Sequence, residues 1–216
     1  MGIRIHPSLL AADFANLESE LAKISSADAV HVDVMDGHFV ENLTFGLGMV
    51  KRISEVSPVP LDVHLMIDQV NEQAPKYAEL GVDSVTFHVE STRDVAQVMA
   101  DIKSNGSSVG IAFRPSTRID EYQSLITSAD LILIMTVEPG AGGQEFLPQT
   151  MVKLQRLRNV VEVEGVEPLI EVDGGITPST IKVAFENGAN TFVAGTSIFG
   201  RGIPAENIEK LRQSVV

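Results

Sequence analysis

Residues 30–35 read Val30-His31-Val32-Asp33-Val34-Met35. Side chains alternate between the faces of a strand, so the three valines share one side while His31, Asp33 and Met35 share the other. The same alternation in Leu61-Asp62-Val63-His64-Leu65-Met66 puts His64 and Met66 together, and in Ile170-Glu171-Val172-Asp173 it aligns Glu171 with Asp173. Strands of an all-parallel sheet are covered on both faces and should be almost continuously apolar. One face of each of these three strands breaks that rule, and the residues that break it are imidazoles and carboxylates.

Outward from these strands the chain alternates short apolar or β-branched runs with longer segments of helical period, which marks repeated βα units. Eight strands are expected, at 4–9, 29–35, 61–66, 84–89, 108–113, 131–137, 169–172 and 191–194. The helices that follow them are expected at 13–26, 46–56, 70–80, 92–105, 117–127, 148–163, 178–188 and 204–214. Asp13, Thr92 and Thr177-Pro178 supply helix starts, and Gly81, Gly106 and Gly188 supply stops. Eight consecutive crossovers with no break in composition favour closure into a TIM (β/α)8 barrel, a single catalytic domain over 1–216, ahead of a doubly wound open sheet.

The totals exclude several classes. With 16 Lys+Arg against 29 Asp+Glu the net charge is -13, which repels a polyanion, and no basic run offers a nucleic-acid surface. No apolar stretch approaches membrane-spanning length, and Met1 to Leu10 is too short in apolar residues for a signal peptide, so a cytoplasmic protein without membrane contact is expected. The absence of cysteine removes thiolate ligands and nucleophiles, leaving His, Asp and Glu for any metal.

Buried charges are costly unless paired or bound to metal, and two imidazoles with two carboxylates from three strands suit a divalent cation at the C-terminal mouth of a barrel. The plainer alternative is that each is satisfied singly by backbone groups or in a buried ion pair. By spacing alone Met35, Met66 and Met135 are core. His88, on the same face as Glu90, is expected to support the ligands or the structure rather than to ligate, and His6 is expected to be structural. Pro139-Gly140-Ala141-Gly142-Gly143-Gln144, Asp173-Gly174-Gly175 and Gly195-Thr196-Ser197 end three late strands, where such barrels hold phosphate on backbone N–H groups.

Over essentially its whole length the chain resembles the ribulose-phosphate 3-epimerase family. The matching segments are Pro7–Asp13, His31–Val40, Asp62–Met66 and Glu171–Ile176, in order. The resemblance implies that His31, Asp33, His64 and Asp173 hold one divalent metal ion (Zn2+, Fe2+, Mn2+ or Co2+), with Asp33 and Asp173 doubling as the acid/base pair. It further implies that Ser8, His64, Met35, Met66, Met135 and Gly140 touch the substrate and that Gly142, Gly143, Gly174, Gly175, Gly195 and Thr196 lie around its phosphate. The implied reaction interconverts D-ribulose 5-phosphate and D-xylulose 5-phosphate, in a chain expected to be a homo-oligomer.

Inverting C3 of a 2-ketose requires proton removal from one face and delivery to the other, which two opposed carboxyl groups can do while a Lewis-acid metal stabilises the enediolate charge. Three residues depart from the family pattern: Ala141 replaces a phenylalanine, Arg114 an asparagine, and Glu41 a proline. All three bear on the lid and on substrate size rather than on the bases. The alternatives are an epimerase of a six-carbon ketose phosphate, a decarboxylase of the orotidine-phosphate type, which needs a lysine among the barrel carboxylates, and a non-catalytic sugar-phosphate-binding barrel.

Overall fold

A computed structural model of the chain describes residues 2–215, so Met1, the start of the N-terminal stretch judged above, and Val216 lie outside the described residues. Eight strands run parallel: β1 (Arg4–Pro7), β2 (Val30–Met35), β3 (Leu61–Met66), β4 (Ser84–His88), β5 (Ser108–Phe113), β6 (Leu131–Met135), β7 (Leu169–Asp173) and β8 (Thr191–Ala194). Each of β2 to β7 pairs with the next in sequence, β8 pairs with β1, and a bridge between Ser8 and His31 brings β1 back to β2. The sheet is thus a nearly closed TIM barrel.

The outward strand faces meet the helices. Val30, Val32, Val63, Leu65, Val85, Phe87, Ile132, Ile134 and Phe192 have no exposed surface and form one continuous core with residues such as Val50, Val98, Leu154 and Ile208 from the surrounding helices. That core fixes the register of every strand, because a slip of one residue would turn its apolar set inward. Everything on the opposite face is thereby committed to the barrel interior.

The helices are α1 (Leu17–Ala22), α2 (Leu47–Val56), α3 (Val70–Ala78), α4 (Val95–Ser104), α5 (Gln123–Ile126), α6 (Met151–Glu164), α7 (Thr180–Glu186), α8 (Thr196–Phe199) and α9 (Pro204–Gln213). Gly81, Gly106 and Gly188 stop helices as expected, at φ of 72°, 91° and 112°. Several boundaries differ from the sequence reading. The segment 13–26 gives a 3-10 turn, capped by Asp13, and only the six residues of α1, and α7 starts at Thr180 rather than at Thr177-Pro178. Asp94 rather than Thr92 caps α4, accepting from the Gln97 N–H, while Thr92 accepts from the Asp94 N–H one turn earlier. The segment 117–127 yields only a 3-10 turn and the four residues of α5, because the Thr127 and Ser128 hydroxyls bond back to the Ser124 carbonyl and compete with further helix. The short α8 directly after β8 was not anticipated. Among the described residues no helix is long and apolar enough to cross a membrane.

Candidate active site

At the C-terminal mouth, β2 supplies His31 and Asp33, β3 supplies His64, and β7, across the barrel, supplies Asp173. One ligand atom of each lies within 4.8 Å of all the others. His31 Nε2 is 3.5 Å from Asp33 Oδ1 and 3.9 Å from Asp173 Oδ2; His64 Nδ1 is 3.5 Å and 3.8 Å from the same two atoms. Ligand atoms around a tetrahedral first-row ion sit roughly 3.3 Å apart, given bonds of about 2.0–2.1 Å, so the four residues fit such an ion after small adjustment.

Hydrogen counting supports the same fit. Asp62 and Glu90 anchor the two ends of a row of three imidazoles. Asp62 Oδ2 to His31 Nδ1 is 2.7 Å, His31 Nε2 to His64 Nδ1 is 3.3 Å, His64 Nε2 to His88 Nε2 is 3.0 Å, and His88 Nδ1 to Glu90 Oε2 is 3.1 Å. Carboxylates only accept, so four links need four N–H groups, while three neutral imidazoles carry three. The row must hold one extra positive charge, and the place for it is the gap between His31 and His64, where both carboxylates converge. Without metal that charge is a proton. The His31 imidazole is accordingly held well above its usual range: burial alone would lower it, but Asp33 and Asp62 outweigh burial. His64, lowered to about 4 by burial against the pull of Asp33, stays neutral with a lone pair on Nδ1.

The two carboxyl groups are driven apart. Burial would raise Asp33, but the neighbouring His31 and His64 overcome it and hold the group well below the usual carboxylate range. Burial and the charge of Asp33 push Asp173 up to about 8. Like charges this close do not both ionise readily, so the pair tends to carry one proton. Ser8 Oγ donates to Asp33 Oδ2 at 2.6 Å and so fixes that carboxylate.

Above these groups opens a cavity of about 640 Å³. Ser8, Asp33, Asp173, Met35, Met66 and Met135 line its floor, and Gly140, Gly142, Gly143, Gly174, Gly175, Gly195 and Thr196 line its wall on the side of β6, β7 and β8. No lysine or arginine lines it among the described residues. A phosphate there would be held by backbone N–H groups, and those of Gly143 and Gly175 meet no protein acceptor among the described residues. Gly175 is required by shape: at φ 66° a Cβ would stand 2.5 Å from the Phe146 nitrogen. His31 and His64 do not line the cavity; they lie fully buried just under it.

Two further groups lie below the ligand set. Glu171, aligned with Asp173, does not join the four; it lies one layer deeper with His6 and Asp62. His6, expected to be structural, lies in that layer of the barrel floor against both carboxylates. Its Nδ1 is 3.2 Å from Asp62 Oδ2 and 2.9 Å from Glu171 Oε1, and although burial opposes it, these carboxylates raise its pKa to about 9. The single Nδ1 hydrogen is aligned with Asp62; among the described residues neither Glu171 oxygen has a hydrogen-bond donor, and burial with the charge of Asp62 pushes Glu171 up to about 7. Asp62 was missed altogether, although the alternation that selected His64 and Met66 puts Asp62 on their face.

The three departures lie around the rim. Ala141 is exposed, in a loop folded over Gln144, whose side-chain N–H groups donate to the Glu138 and Ala141 carbonyls. Asn42 beside the exposed Glu41 donates to the Gly140 carbonyl, tying the loop after β2 to the loop after β6. Arg114 stacks 4.3 Å over the Phe39 ring and donates to the Phe39 carbonyl.

Residues 4–199 match the model of the ribulose-phosphate 3 epimerase family. The chain is 46% identical over 213 residues to ribulose-phosphate 3-epimerase of Mycobacterium leprae, covering 99% of this chain and 95% of that protein. It is 43% identical over 218 residues to the cytoplasmic isoform of ribulose-phosphate 3-epimerase of Oryza sativa subsp. japonica, covering 98% and 94%. Its fold is also that of 3-hexulose-6-phosphate synthase from Salmonella typhimurium, with a TM-score of 0.72 at 17% identity over 99% of this chain and 98% of that one.

Proposed function

The chain belongs to the ribulose-phosphate 3-epimerase family and is an isomerase acting on a carbohydrate, and from that premise we propose that Asp33 and Asp173 exchange the C3 proton of D-ribulose 5-phosphate and D-xylulose 5-phosphate across the mouth of the barrel. The observation that carries this reading is the opposition of the two carboxyl groups. They stand on β2 and β7, on either side of the cavity floor, with their pKa values pushed in opposite directions. One proton is shared between them. The carboxylate that lacks it takes the C3 proton from its side of the sugar, and the carboxylic acid that holds it delivers to the opposite face. Which of the two holds the proton decides which epimer the site can accept, so the same pair serves both directions.

His31, Asp33, His64 and Asp173 would hold the metal, Zn2+, Fe2+, Mn2+ or Co2+ by donor type. When bound, it supplies positive charge that offsets the negative charge developing on the sugar oxygens, worth several kcal/mol. The chain's own residues do the rest. Ser8 keeps Asp33 oriented. Met35, Met66 and Met135, each at most 2% exposed, line the reacting carbons with sulfur and methylene groups that carry no exchangeable proton. The glycine wall takes the phosphate on N–H groups, which is compatible with the chain's negative charge. The absence of any lysine lining the cavity weighs against the decarboxylase alternative, and the paired acids weigh against a non-catalytic binder.

A cytoplasmic location and assembly as a homo-oligomer belong to the same reading. The first is supported by the rice relative's printed designation, the second by exposed apolar Phe14, Leu43 and Met49. The deciding experiment is turnover of the two pentulose phosphates by protein stripped with a chelator and then reloaded. Activity should vanish and return with a divalent ion, and deuterium from heavy water should appear at C3. Full activity in demonstrably metal-free protein would remove the metal from the reading. Turnover without solvent deuterium at C3 would count against exchangeable carboxyl bases and leave the metal assignment intact.

A further inference from the structure

The four proposed ligands leave unexplained two groups beside them. His88, fully buried on β4, and Glu90, at the rim, touch neither the cavity nor the metal-ligand atoms. We infer that His88 and Glu90 are positioning residues that hold His64 in the one tautomer and ring orientation able to offer Nδ1 to a cation. The inference rests on the metal reading above and adds to it the device that prepares one of its ligands.

The direction of the hydrogen bonds follows from the ends inward. Glu90 sits exposed at the rim and accepts the Arg114 N–H at 2.9 Å, as an ionised carboxylate does. An ionised carboxylate accepts only, so His88 carries its hydrogen on Nδ1, 3.1 Å away. A neutral His88 then has a bare Nε2. The atom facing it at 3.0 Å is His64 Nε2, which must be the donor. With its hydrogen on Nε2, His64 leaves Nδ1 free, and Nδ1 is the atom that faces Asp33 and Asp173. Reversing any link would set two lone pairs, or a lone pair and a carboxylate, against each other.

The His88 ring is itself fixed. Phe39 packs on it with ring centroids 4.9 Å apart, and Arg114 in turn stacks on Phe39. His31 reaches the same end by a shorter route, with Asp62 accepting directly from Nδ1 so that Nε2 faces the site. The two ligating imidazoles thus offer different nitrogens, each chosen by its own carboxylate: one adjacent, the other relayed through a second imidazole. Partners that orient ligating histidines in this way typically contribute 10–100-fold to metal affinity.

The test compares two polar replacements of His88 in the full chain. In H88Q the side-chain oxygen reaches the place of Nε2 and can accept from His64. In H88N the shorter amide sits near the place of Nδ1 and cannot. Zinc dissociation constants are measured on chelator-stripped protein by competition with a chromophoric chelator, alongside wild type and H31A, with thermal unfolding as a folding control. Zinc should bind H88N at least tenfold more weakly than wild type, and H88Q within threefold. Long-range proton–nitrogen spectra of the zinc-loaded protein should show His64 protonated on Nε2 in wild type and H88Q, with that proton exchanging rapidly in H88N. Equal affinity in all three, or equal weakening of H88N and H88Q, overturns the relay while leaving the metal site standing. If zinc binds wild type and H31A alike, the metal site itself fails and the relay with it. Should H88N not fold, E90A at the rim carries the same comparison, with at least threefold weaker zinc expected and unchanged affinity counting against the relay.

Discussion

Around β5 and β6 the inside of the barrel is filled by Ala112, Leu131, Leu133 and Met135, with Gly110 making room for Thr86, whose hydroxyl oxygen lies 2.0 Å from where a Cβ would be. Around β1 to β4 and β7 the same interior holds His6, His31, Asp33, Asp62, His64, His88, Glu171 and Asp173, all but Asp173 at most 3% exposed. The two halves are equally buried and differ only in what compensates that burial. Dispersion and the removal of apolar surface from water serve the first. The second depends on mutual pairing, since an isolated charge in that position would cost several kcal/mol. The apolar half therefore acts as a wall against which the polar half is arranged, and a substitution should have opposite meanings in the two.

The largest effect is expected where the polar half meets substrate. Asp33→Asn and Asp173→Asn should each lower kcat by about 10³-fold or more, equivalent to roughly 4 kcal/mol of lost transition-state stabilisation. Steady-state kinetics with metal content measured on the same samples checks this. A variant that retains its metal and its rate removes that carboxyl group from the acid/base pair.

The division of the barrel also explains what was legible in the sequence. Polar residues at alternate positions of apolar strands are improbable unless function requires them, so His31, Asp33, His64, Glu171 and Asp173 stand out on spacing, the resemblance picks four of them as ligands, and eight βα units are enough to propose closure. The depth of each residue was not legible. Glu171 and Asp173 share a face and differ by one layer of the barrel, which only the relative stagger of β7, β3 and β1 determines. That stagger puts Glu171 beside His6 and Asp62 rather than in the ligand set. His6 gave no period-2 signal because β1 is four residues long and its neighbours Ile5 and Pro7 carry the apolar face. The shortness of α5 was hidden for another reason: hydroxyls that bond back to the Ser124 carbonyl compete with helix through local chemistry that a periodicity of apolar residues does not register.

Placing a polar side chain in the apolar half should damage stability without touching the chemistry. Leu133→Asn removes a fully buried branched side chain and leaves an amide with no partner among Ala112, Leu131 and Met135. A loss of about 3 kcal/mol is expected in denaturant unfolding, with residual activity per folded molecule nearly unchanged. A loss below about 1 kcal/mol would mean that this half is not the packed wall described.

A smaller and pH-dependent effect is expected from the charged floor. His6 has its pKa raised from 6.5 to about 9 in the folded chain, so the folded state binds its proton more tightly than the unfolded state. The stabilisation is complete below pH 6.5 and is lost as pH rises through about 9. It amounts to at most about 3 kcal/mol for a shift of this size. Other groups titrate in that range, among them its own partner Glu171, raised to about 7 by burial and the charge of Asp62, Asp173 near 8, and Lys153, lowered to about 8 by burial. The difference in unfolding free energy between wild type and His6→Asn reports His6 together with its coupling to Glu171 and Asp62, and removes the groups that do not touch it. That difference should be largest near pH 6 and shrink steadily towards pH 9.5; a difference constant with pH would show that His6 serves only by packing.

The smallest effect is expected at the rim, where neither kind of compensation operates. Ala141 is exposed in a loop that Gln144 braces from within and that Asn42 ties to the opposite side of the mouth through the Gly140 carbonyl. The phosphate cradle and the acid/base pair are built from other residues, so an aromatic ring at this position adds closure over the sugar without altering which atoms react. A ring on a partly wet loop contributes a fraction of its full burial value. Ala141→Phe should therefore raise kcat/KM for ribulose 5-phosphate by about two- to fivefold, under 1 kcal/mol, mainly through KM. The same assay on a hexulose 6-phosphate makes the test two-sided. If the wild-type chain prefers the six-carbon substrate by tenfold or more and Ala141→Phe reverses the order, Ala141 sets substrate size and the pentulose assignment falls, while the division of the barrel into a polar and an apolar half is untouched.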